Sequence, residues 1–304
     1  MLFRSAPPLP DYAALWDASP GRTPFSHPAA VAAYAEAFGL DARIVALDDG
    51  SAAVPVFEKR RGPFRAASLL PLCPVLRPLL AEPLSSAASH RRDSPLDRLL
   101  VSLDLEADQL TLALGTDDLR PYTWAGWTAR PRSTYVSDLR EDLDYSTAVR
   151  RALRQSEAFE TVEDRAYMAQ AVRLMAAGYQ RGGADLGLDT AAVARLAEAL
   201  GEADLARTFA AVQDGAAQAA VVVATDGRRA FYWIAGSVPG PAMTVLVDHV
   251  LRQLAAEGVE TFDWCGANTP SIAEFKRRFG PRLAPAPLVR RVTHPLLRAA
   301  ERFR

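Results

Sequence analysis

Three apolar segments separated by two short turns constrain the fold more than any other feature of this sequence. We predict them as strands over Ala206 to Val212, Ala217 to Ala224 and Ala230 to Ala235. The turns between them are Asp214-Gly215 and Asp226-Gly227, and an Asp-Gly pair between apolar runs favours a tight hairpin. This part of the chain is therefore predicted to be an antiparallel sheet.

The pattern changes directly after the third strand. Gly236 to Gly240 is predicted as a turn, Pro241 to Glu257 as a helix, Val259 to Trp264 as a strand and Ser271 to Arg278 as a short helix. The first of these helices would present free N–H groups and the positive end of its dipole to the preceding loop, which can hold a phosphate. The loop residues that would bind a phosphate-bearing cofactor are Gly236, Ser237 and Gly240. The alternative is that the two glycines only form a tight turn.

The rest of the chain indicates two domains of mixed α+β or α/β structure. The first half combines a helix over Ala29 to Phe38 with strands over Ala42 to Leu47, Ser51 to Phe57 and Gln109 to Leu114. A basic helix over Tyr145 to Glu157 opens the second half. The length of 304 residues suits two lobes, and we place their boundary between a domain of residues 1–140 and one of residues 141–304.

Composition excludes several classes of protein. The chain is 49% hydrophobic and 23% charged with a net charge of −1, which describes a globular protein without a global field for DNA or an anionic membrane. No apolar run is long enough for a membrane span, and the N-terminus lacks the apolar segment of a signal peptide. We therefore expect a cytoplasmic protein. Cys73 and Cys265 are far apart and lack metal-ligand spacing, so we expect no metal and no disulfide.

Lysine is rare here, since of 35 basic residues only Lys59 and Lys276 are lysines. Lysine is a compact charge that can titrate, whereas arginine keeps its proton. Lys276 is the more interesting of the two because it lies on the predicted short helix just past the end of the strand. A solvated lysine beside Arg277 and Arg278 is the alternative.

Two segments near the C-terminus resemble a known family. Phe262-Asp263-Trp264-Cys265-Gly266 and Phe275-Lys276-Arg277-Arg278-Phe279-Gly280 resemble motifs of the double-GNAT group, which includes the Fem peptidoglycan-bridge aminoacyl transferases and the CelD-like acetyltransferases. Weaker similarities lie in Thr23 to Pro28, Arg150 to Gln155 and Tyr179 to Gly182. The resemblance implies two tandem GNAT-like lobes, each a mixed, largely antiparallel sheet flanked by helices.

The resemblance also implies roles for individual residues in acyl transfer. Lys276 would neutralise developing negative charge or a donor phosphate, and Asp263 would act as base or orient the substrate. A structural carboxylate that bonds loop amides is the alternative for Asp263. Candidate substrate contacts are Tyr232, Trp264 and Arg277, and candidate phosphate contacts on the basic helix are Arg150 and Arg154. Tyr232 could instead belong to the sheet surface, and the arginines could form a solvated face.

Three functions remain open at this point. The first is an N-acyltransferase that uses acyl-CoA or an acyl carrier protein and acylates a small amine such as an amino sugar or a cell-envelope precursor. The second is an aminoacyl-tRNA-dependent transferase; the sequence has no long charged insertion between Gly183 and Ala206 of the kind associated with tRNA contact. The third is an inert GNAT-like binding protein. The segment Val238-Pro239-Gly240-Pro241 departs from the usual acyl-CoA loop, Gln/Arg-x-x-Gly-x-Gly/Ala.

Overall fold

The computed structural model describes residues 9–67, 69–83, 93–116 and 118–301. The N-terminal residues 1–8, where we expect no signal peptide, and the last residues, 302–304, lie outside this part of the chain. The chain divides into two compact units. One contains residues 133–284, and the other contains the residues on either side of that segment.

Helices and strands alternate along both units. The helices are α1 (Leu9–Ala18), α2 (Pro28–Phe38), α3 (Pro95–Glu106), α4 (Arg120–Trp124), α5 (Thr147–Leu153), α6 (Met168–Arg181), α7 (Thr190–Glu202), α8 (Ala242–Ala256), α9 (Pro270–Arg277) and α10 (Pro295–Glu301). The strands are β1 (Asp41–Ala46), β2 (Ala52–Arg61), β3 (Phe64–Ala67), β4 (Leu79–Leu80), β5 (Gln109–Ala113), β6 (Thr128–Arg130), β7 (Ser133–Asp138), β8 (Glu160–Glu163), β9 (Ala206–Gln213), β10 (Ala216–Thr225), β11 (Arg229–Ser237), β12 (Thr261–Asp263), β13 (Arg282–Pro285) and β14 (Leu288–Val292).

Each unit has its own mixed sheet, as the sequence predicts. In the first unit the order is β1-β2-β3-β5-β14-β6, with β4 also paired to β2. In the second it is β13-β7-β12-β11-β10-β9-β8. The described strands number seven in each sheet. The pairs β3 with β5 and β11 with β12 are parallel, and β1–β2, β2–β3, β5–β14, β8–β9, β9–β10, β10–β11 and β7–β12 are antiparallel.

Two strands lie in different sheets from those that the predicted boundary between residues 140 and 141 implies. β7 pairs with β12 and so belongs to the second sheet. β14 pairs with β5 and β6 and so belongs to the first sheet. Each strand therefore crosses over from its own half of the sequence, an exchange that a linear division of the chain does not predict.

The parallel pair of the second unit leaves one strand edge open. β11 pairs with β12 only from Arg229 to Phe231, yet it continues beside β10 as far as Ser237. A bulge at Trp233 interrupts the register with β10 and turns the strand at this point. Within the described residues, no strand pairs with the far edge of β11 beyond Phe231. We call this edge, from Tyr232 to Ser237, the open edge.

The parallel pair of the first unit is also short, but the gap beside it is filled by another part of the chain. β3 and β5 pair only through Ala66 and Ala67 of β3. The chain then returns into the space: the N–H of Leu76 donates to the carbonyl of Ala113 at 2.8 Å, and β4 pairs with β2. The two units share an architecture. Within the described residues, the gap beside the parallel pair is filled in the first unit and open in the second.

The core of the second unit places α8 against the sheet. Leu246, Val250 and Leu254 of α8 are fully or almost fully buried with Val221 and Phe262. The spacing of the three α8 residues by four follows one face of a helix. Burial of this face holds α8 against the sheet. The N-terminus of α8 follows the short loop after β11.

Candidate active site

Lys276 is buried under the loop that follows β12. Its ammonium donates to the carbonyl oxygen of Gly266 at 3.0 Å and also to that of Trp264, and only 5% of the residue is exposed. Burial lowers the pKa of Lys276, while the nearby Cys265 and Asp263 act in the opposite direction. The predicted charge is therefore present at the site, but it is held by main-chain carbonyls and is not a free surface cation.

Asp263 is held by the strand beside it and by its own loop. Its Oδ1 accepts from the hydroxyl of Thr134 on β7 at 2.6 Å and from the N–H of Cys265 at 2.7 Å. The same Thr134 hydroxyl accepts from the N–H of Gly266 at 2.9 Å. Burial raises the pKa of Asp263, and these hydrogen bonds oppose the rise. The carboxylate thus bonds one loop amide directly and a second through the Thr134 hydroxyl, which is the arrangement of the structural alternative.

Tyr232 lies at the start of the open edge, next to the lysine. Its ring centroid is 5.7 Å from that of Trp264, and the Lys276 nitrogen is 5.6 Å from the ring. Burial and the neighbouring Cys265 raise the pKa of the Tyr232 hydroxyl. This hydroxyl makes no hydrogen bond to any described residue. Tyr232, Lys276, Asp263 and Cys265 form one cluster, which we call the β12-loop cluster.

Trp264 is not available as a direct substrate contact. It is completely buried, its indole nitrogen donates to Ser137 at 3.0 Å, and its ring packs on Phe279 with centroids 5.0 Å apart. Phe275 and Phe279 also contact each other, at 5.4 Å. The tryptophan therefore supports the loop from inside the core, which corrects the predicted substrate contact.

The predicted phosphate loop is shorter than the sequence suggests. Gly236 lies within β11, and a side chain there would overlap the backbone of Leu174 and Met175 in α6. Its lack of a side chain thus serves the close packing of strand and helix, which corrects its assignment to the cofactor loop.

The remaining loop leads to α8. Gly240 is exposed with φ of 144°, a conformation that favours glycine. The first N–H groups of α8, on Ala242 and Met243, bond no described residue. The carbonyl of Ser237 accepts from Arg181 at the end of α6, at 2.5 Å. The open edge, the loop and the N-terminus of α8 are thus continuous.

The remaining predicted arginines lie on exposed surface. Arg150 is exposed and 3.3 Å from Asp144, and Arg154 ends α5 in an exposed position. Arg277 is paired with Glu274 at 2.8 Å. No described contact brings any of these three to the loop before α8. Conversely, Thr134 and Arg181 contribute to the site but were missed, Thr134 because it comes from a strand 129 residues away from Asp263.

Among the residues that the structure describes, no group of three or more His, Cys, Asp or Glu side chains is arranged to hold a metal ion. No described helix has both the length and the apolar character needed to cross a membrane.

Comparison with known proteins assigns the second unit to a class. Residues 144–277 match a family model described as Acetyltransferase (GNAT) domain, which spans the helices and strands around the open edge. Among proteins of curated function, none is significantly similar in sequence. The matched segment of the second unit is therefore a GNAT acetyltransferase domain.

Solved structures extend this likeness to both units. FemX shares 14% identity over 96% of this chain and 98% of its own, with a TM-score of 0.74. L-PGS from Bacillus licheniformis shares 12% identity, with 98% and 96% covered and a TM-score of 0.60. A tandem GNAT protein from the clavulanic acid biosynthesis pathway shares 16%, with 94% of each chain covered and a TM-score of 0.51. The fold is therefore the double-GNAT fold of the Fem type.

Proposed function

We propose that this protein is an N-acyltransferase that moves an acyl group from a thioester donor, acyl-CoA or an acyl carrier protein, to an amine such as an amino sugar or cell-envelope precursor. The observation that carries the proposal is the open edge of β11, which leads directly to the N-terminus of α8. A strand edge that no described strand covers can bond the amides of a pantetheine arm in the manner of a neighbouring strand. The N–H groups of Ala242 and Met243 can bind its phosphate.

The thioester would then lie at the other end of the open edge, against the β12-loop cluster. Attack of the amine nitrogen on the thioester carbonyl places negative charge on that oxygen, and collapse of the tetrahedral intermediate breaks the C–S bond. The departing thiolate requires a proton, and the proton that the amine loses passes through solvent to restore the group that supplied it. The Tyr232 hydroxyl, whose raised pKa keeps it protonated, is the donor that we assign to the thiolate.

Lys276 and Asp263 act mainly by holding this geometry. The Lys276 ammonium fixes the carbonyls of the 264–266 loop and contributes positive charge beside the developing oxyanion. Asp263, bonded by Thr134 and by the Cys265 amide, fixes the opposite side of the same loop. In this proposal Lys276 does not contact the donor phosphate, because two of its three donors are already in use.

Substitution of Tyr232 tests this assignment. Acetyl-CoA is incubated with the protein and a set of amino sugars and amino acids, and acetylated product is measured by mass spectrometry. We expect Tyr232→Phe to keep its ring packing and its affinity for acetyl-CoA but to lose turnover by about 10²-fold, the usual contribution of a proton donor. Tyr179→Phe, which changes an exposed tyrosine of α6, is the matched control. Equal turnover of Tyr232→Phe and the unchanged protein would refute the role of the hydroxyl.

The two other functions predict different results in a binding assay. The connection from α6 to α7 is confined to residues 182–189, too short for an inserted helical hairpin, so we expect acetyl-CoA to raise the melting temperature and aminoacyl-tRNA not to. Stabilisation by aminoacyl-tRNA alone would transfer the assignment to a tRNA-dependent transferase. Stabilisation by neither, with no product from any amine, would favour a binding protein.

A further inference from the structure

Arg181 is an exposed cation at the end of the open edge, and no described carboxylate forms an ion pair with it. It is the last residue of α6. Its Nη2 donates to the carbonyl of Ser237, the last residue of β11, at 2.5 Å, and this is its one hydrogen bond among the described residues. A guanidinium has five N–H donors, so Arg181 keeps both donors and a positive charge for a ligand.

The orientation of the Ser237 carbonyl shows on which side of β11 this guanidinium lies. Successive residues of a strand direct their N–H and C=O groups to opposite sides. The N–H of Val238 donates to the carbonyl of Gln218 on β10 at 2.9 Å, so the carbonyl of Ser237 faces away from β10. The guanidinium of Arg181 therefore lies on the side of the open edge, directly before the loop of residues 238–241.

The loop of residues 238–241 is poor in groups that can bind an anion. Its sequence is Val-Pro-Gly-Pro, and proline has no N–H. The N–H of Val238 is bonded to β10, which leaves Gly240 as the loop residue with an N–H for a ligand. No residue of the loop is charged. A ligand with two adjacent phosphates would therefore be held more tightly if a cation outside the loop took part, and Arg181 is in position to do so.

We propose that Arg181 binds the pyrophosphate of the acyl donor together with the N-terminus of α8, and thereby selects a CoA thioester over an acyl carrier protein. CoA presents two adjacent phosphates, whereas a carrier protein presents its pantetheine arm through a single phosphodiester. The N–H groups of Ala242 and Met243 bind one phosphate, and the guanidinium binds the other, because its planar fork matches phosphate oxygens. This inference rests on the proposed function and decides between the two thioester donors that it leaves open.

Three roles of Arg181 differ in the ligands that they affect. If Arg181 only joins α6 to β11, its removal weakens the binding of every donor equally. If it binds the phosphates of a nucleotide-linked acceptor, its removal weakens the binding of a nucleotide sugar and not that of the donor. If it binds the donor pyrophosphate, its removal weakens only the binding of donors with two adjacent phosphates.

Binding measurements on the full chain separate these roles. The ligands are acetyl-CoA, acetyl-dephospho-CoA, which keeps the pyrophosphate, S-acetyl-4′-phosphopantetheine, which has one phosphate, and UDP-N-acetylglucosamine. We expect Arg181→Met to bind the first two at least about tenfold more weakly, since a charge-assisted bond to phosphate is lost. The affinity for the one-phosphate ligand and for the nucleotide sugar should stay within about twofold of that of the unchanged protein, because neither uses this bond. Arg173→Met removes another exposed arginine of α6, which bonds Gln170, and should bind all four as the unchanged protein does.

Each other outcome overturns the proposal. Equal affinity of Arg181→Met and the unchanged protein for acetyl-CoA would show that the guanidinium does not contact the donor. Equal weakening of the one-phosphate ligand and of acetyl-CoA would reduce Arg181 to a structural contact. A loss confined to the nucleotide sugar would assign the residue to the acceptor. In these three cases acetyl-CoA still binds the unchanged protein and the proposed function stands, whereas an absence of acetyl-CoA binding would overturn both.

Discussion

The ammonium of Lys276 and the carbonyl oxygen of Gly266 are 3.0 Å apart, a hydrogen bond that joins α9 to the loop after β12. The same ammonium bonds the carbonyl of Trp264. A cation that donates to two carbonyls of one loop fixes the backbone of that loop, and this loop positions Asp263 and Cys265. Lys276 therefore acts mainly by holding the loop in place, and it contributes to the site through that loop.

Lys276→Met should therefore destabilise the protein. The change keeps much of the side-chain length but leaves two buried carbonyls without a donor, for an expected loss of about 3 kcal/mol in the free energy of unfolding. Urea denaturation measures it. The control is Lys59→Met, which changes the other lysine of the chain at an exposed position of β2 and should have little effect. Equal stability of the two variants would contradict the structural role.

Gly236→Ala should also destabilise the second unit. A Cβ at this position overlaps the backbone of Leu174 and Met175, which cannot move as a flexible side chain can, so we expect a loss of about 3 kcal/mol. Gly178→Ala lies on the same helix, where the nearest atom is 3.7 Å away at the end of a flexible arginine. There the better helix propensity of alanine should raise stability by up to about 1 kcal/mol. If the absence of a side chain at Gly236 is needed for packing, thermal unfolding should show a lower melting temperature for Gly236→Ala and a higher one for Gly178→Ala.

The sequence predicts most of the second unit because its elements are locally encoded. The Asp-Gly turns and apolar runs give β9, β10 and β11 to within about two residues. By contrast, β8 has two exposed residues among its four and no turn signal, so it was missed. The exchange of β7 and β14 between sheets depends on long-range pairing, which no local pattern records.

A pH prediction follows from the ion pairs of Arg207. Its guanidinium bonds Glu163 at 2.7 Å and also bonds Glu257, and this lowers the pKa of both carboxyls. A lowered folded-state pKa means that the stabilisation is complete above the unfolded pKa, about 4.3, and is lost as pH falls through the folded value. Because these groups are partly exposed, we expect Arg207→Met to cost only about 1 kcal/mol at neutral pH.

The free-energy cost of Arg207→Met should shrink at acid pH. Urea unfolding of Arg207→Met and the unchanged protein, repeated between neutral pH and about pH 3, should show the two free energies of unfolding converging. Arg195→Met, at an exposed position of α7 with no described ion pair, should show no such convergence. A cost for Arg207→Met that is independent of pH would mean that packing and not charge stabilises this contact.

The candidate site was only partly accessible from the sequence. The motif around Asp263 and Lys276 points to one loop, and in the structure both residues lie in one cluster with Tyr232. The direction in which each side chain points depends on partners such as Thr134, which only the strand pairing brings near. A glycine such as Gly236 is typical of a phosphate-binding loop, but here it allows β11 to pack closely on α6. Sequence alone does not distinguish a glycine in a phosphate loop from one at a close packing contact.

The location of the donor is the central claim, and hydrogen–deuterium exchange with and without acetyl-CoA tests it most directly. We expect slower exchange over residues 232–245, which cover the open edge and the first turn of α8, and no change over residues 69–80 of the first unit. Pro239→Asp should abolish this protection, because a carboxylate before α8 favours the free helix but repels a phosphate, whereas the isosteric Pro239→Asn should retain it. Protection confined to the first unit, or equal protection in the two variants, would contradict the account.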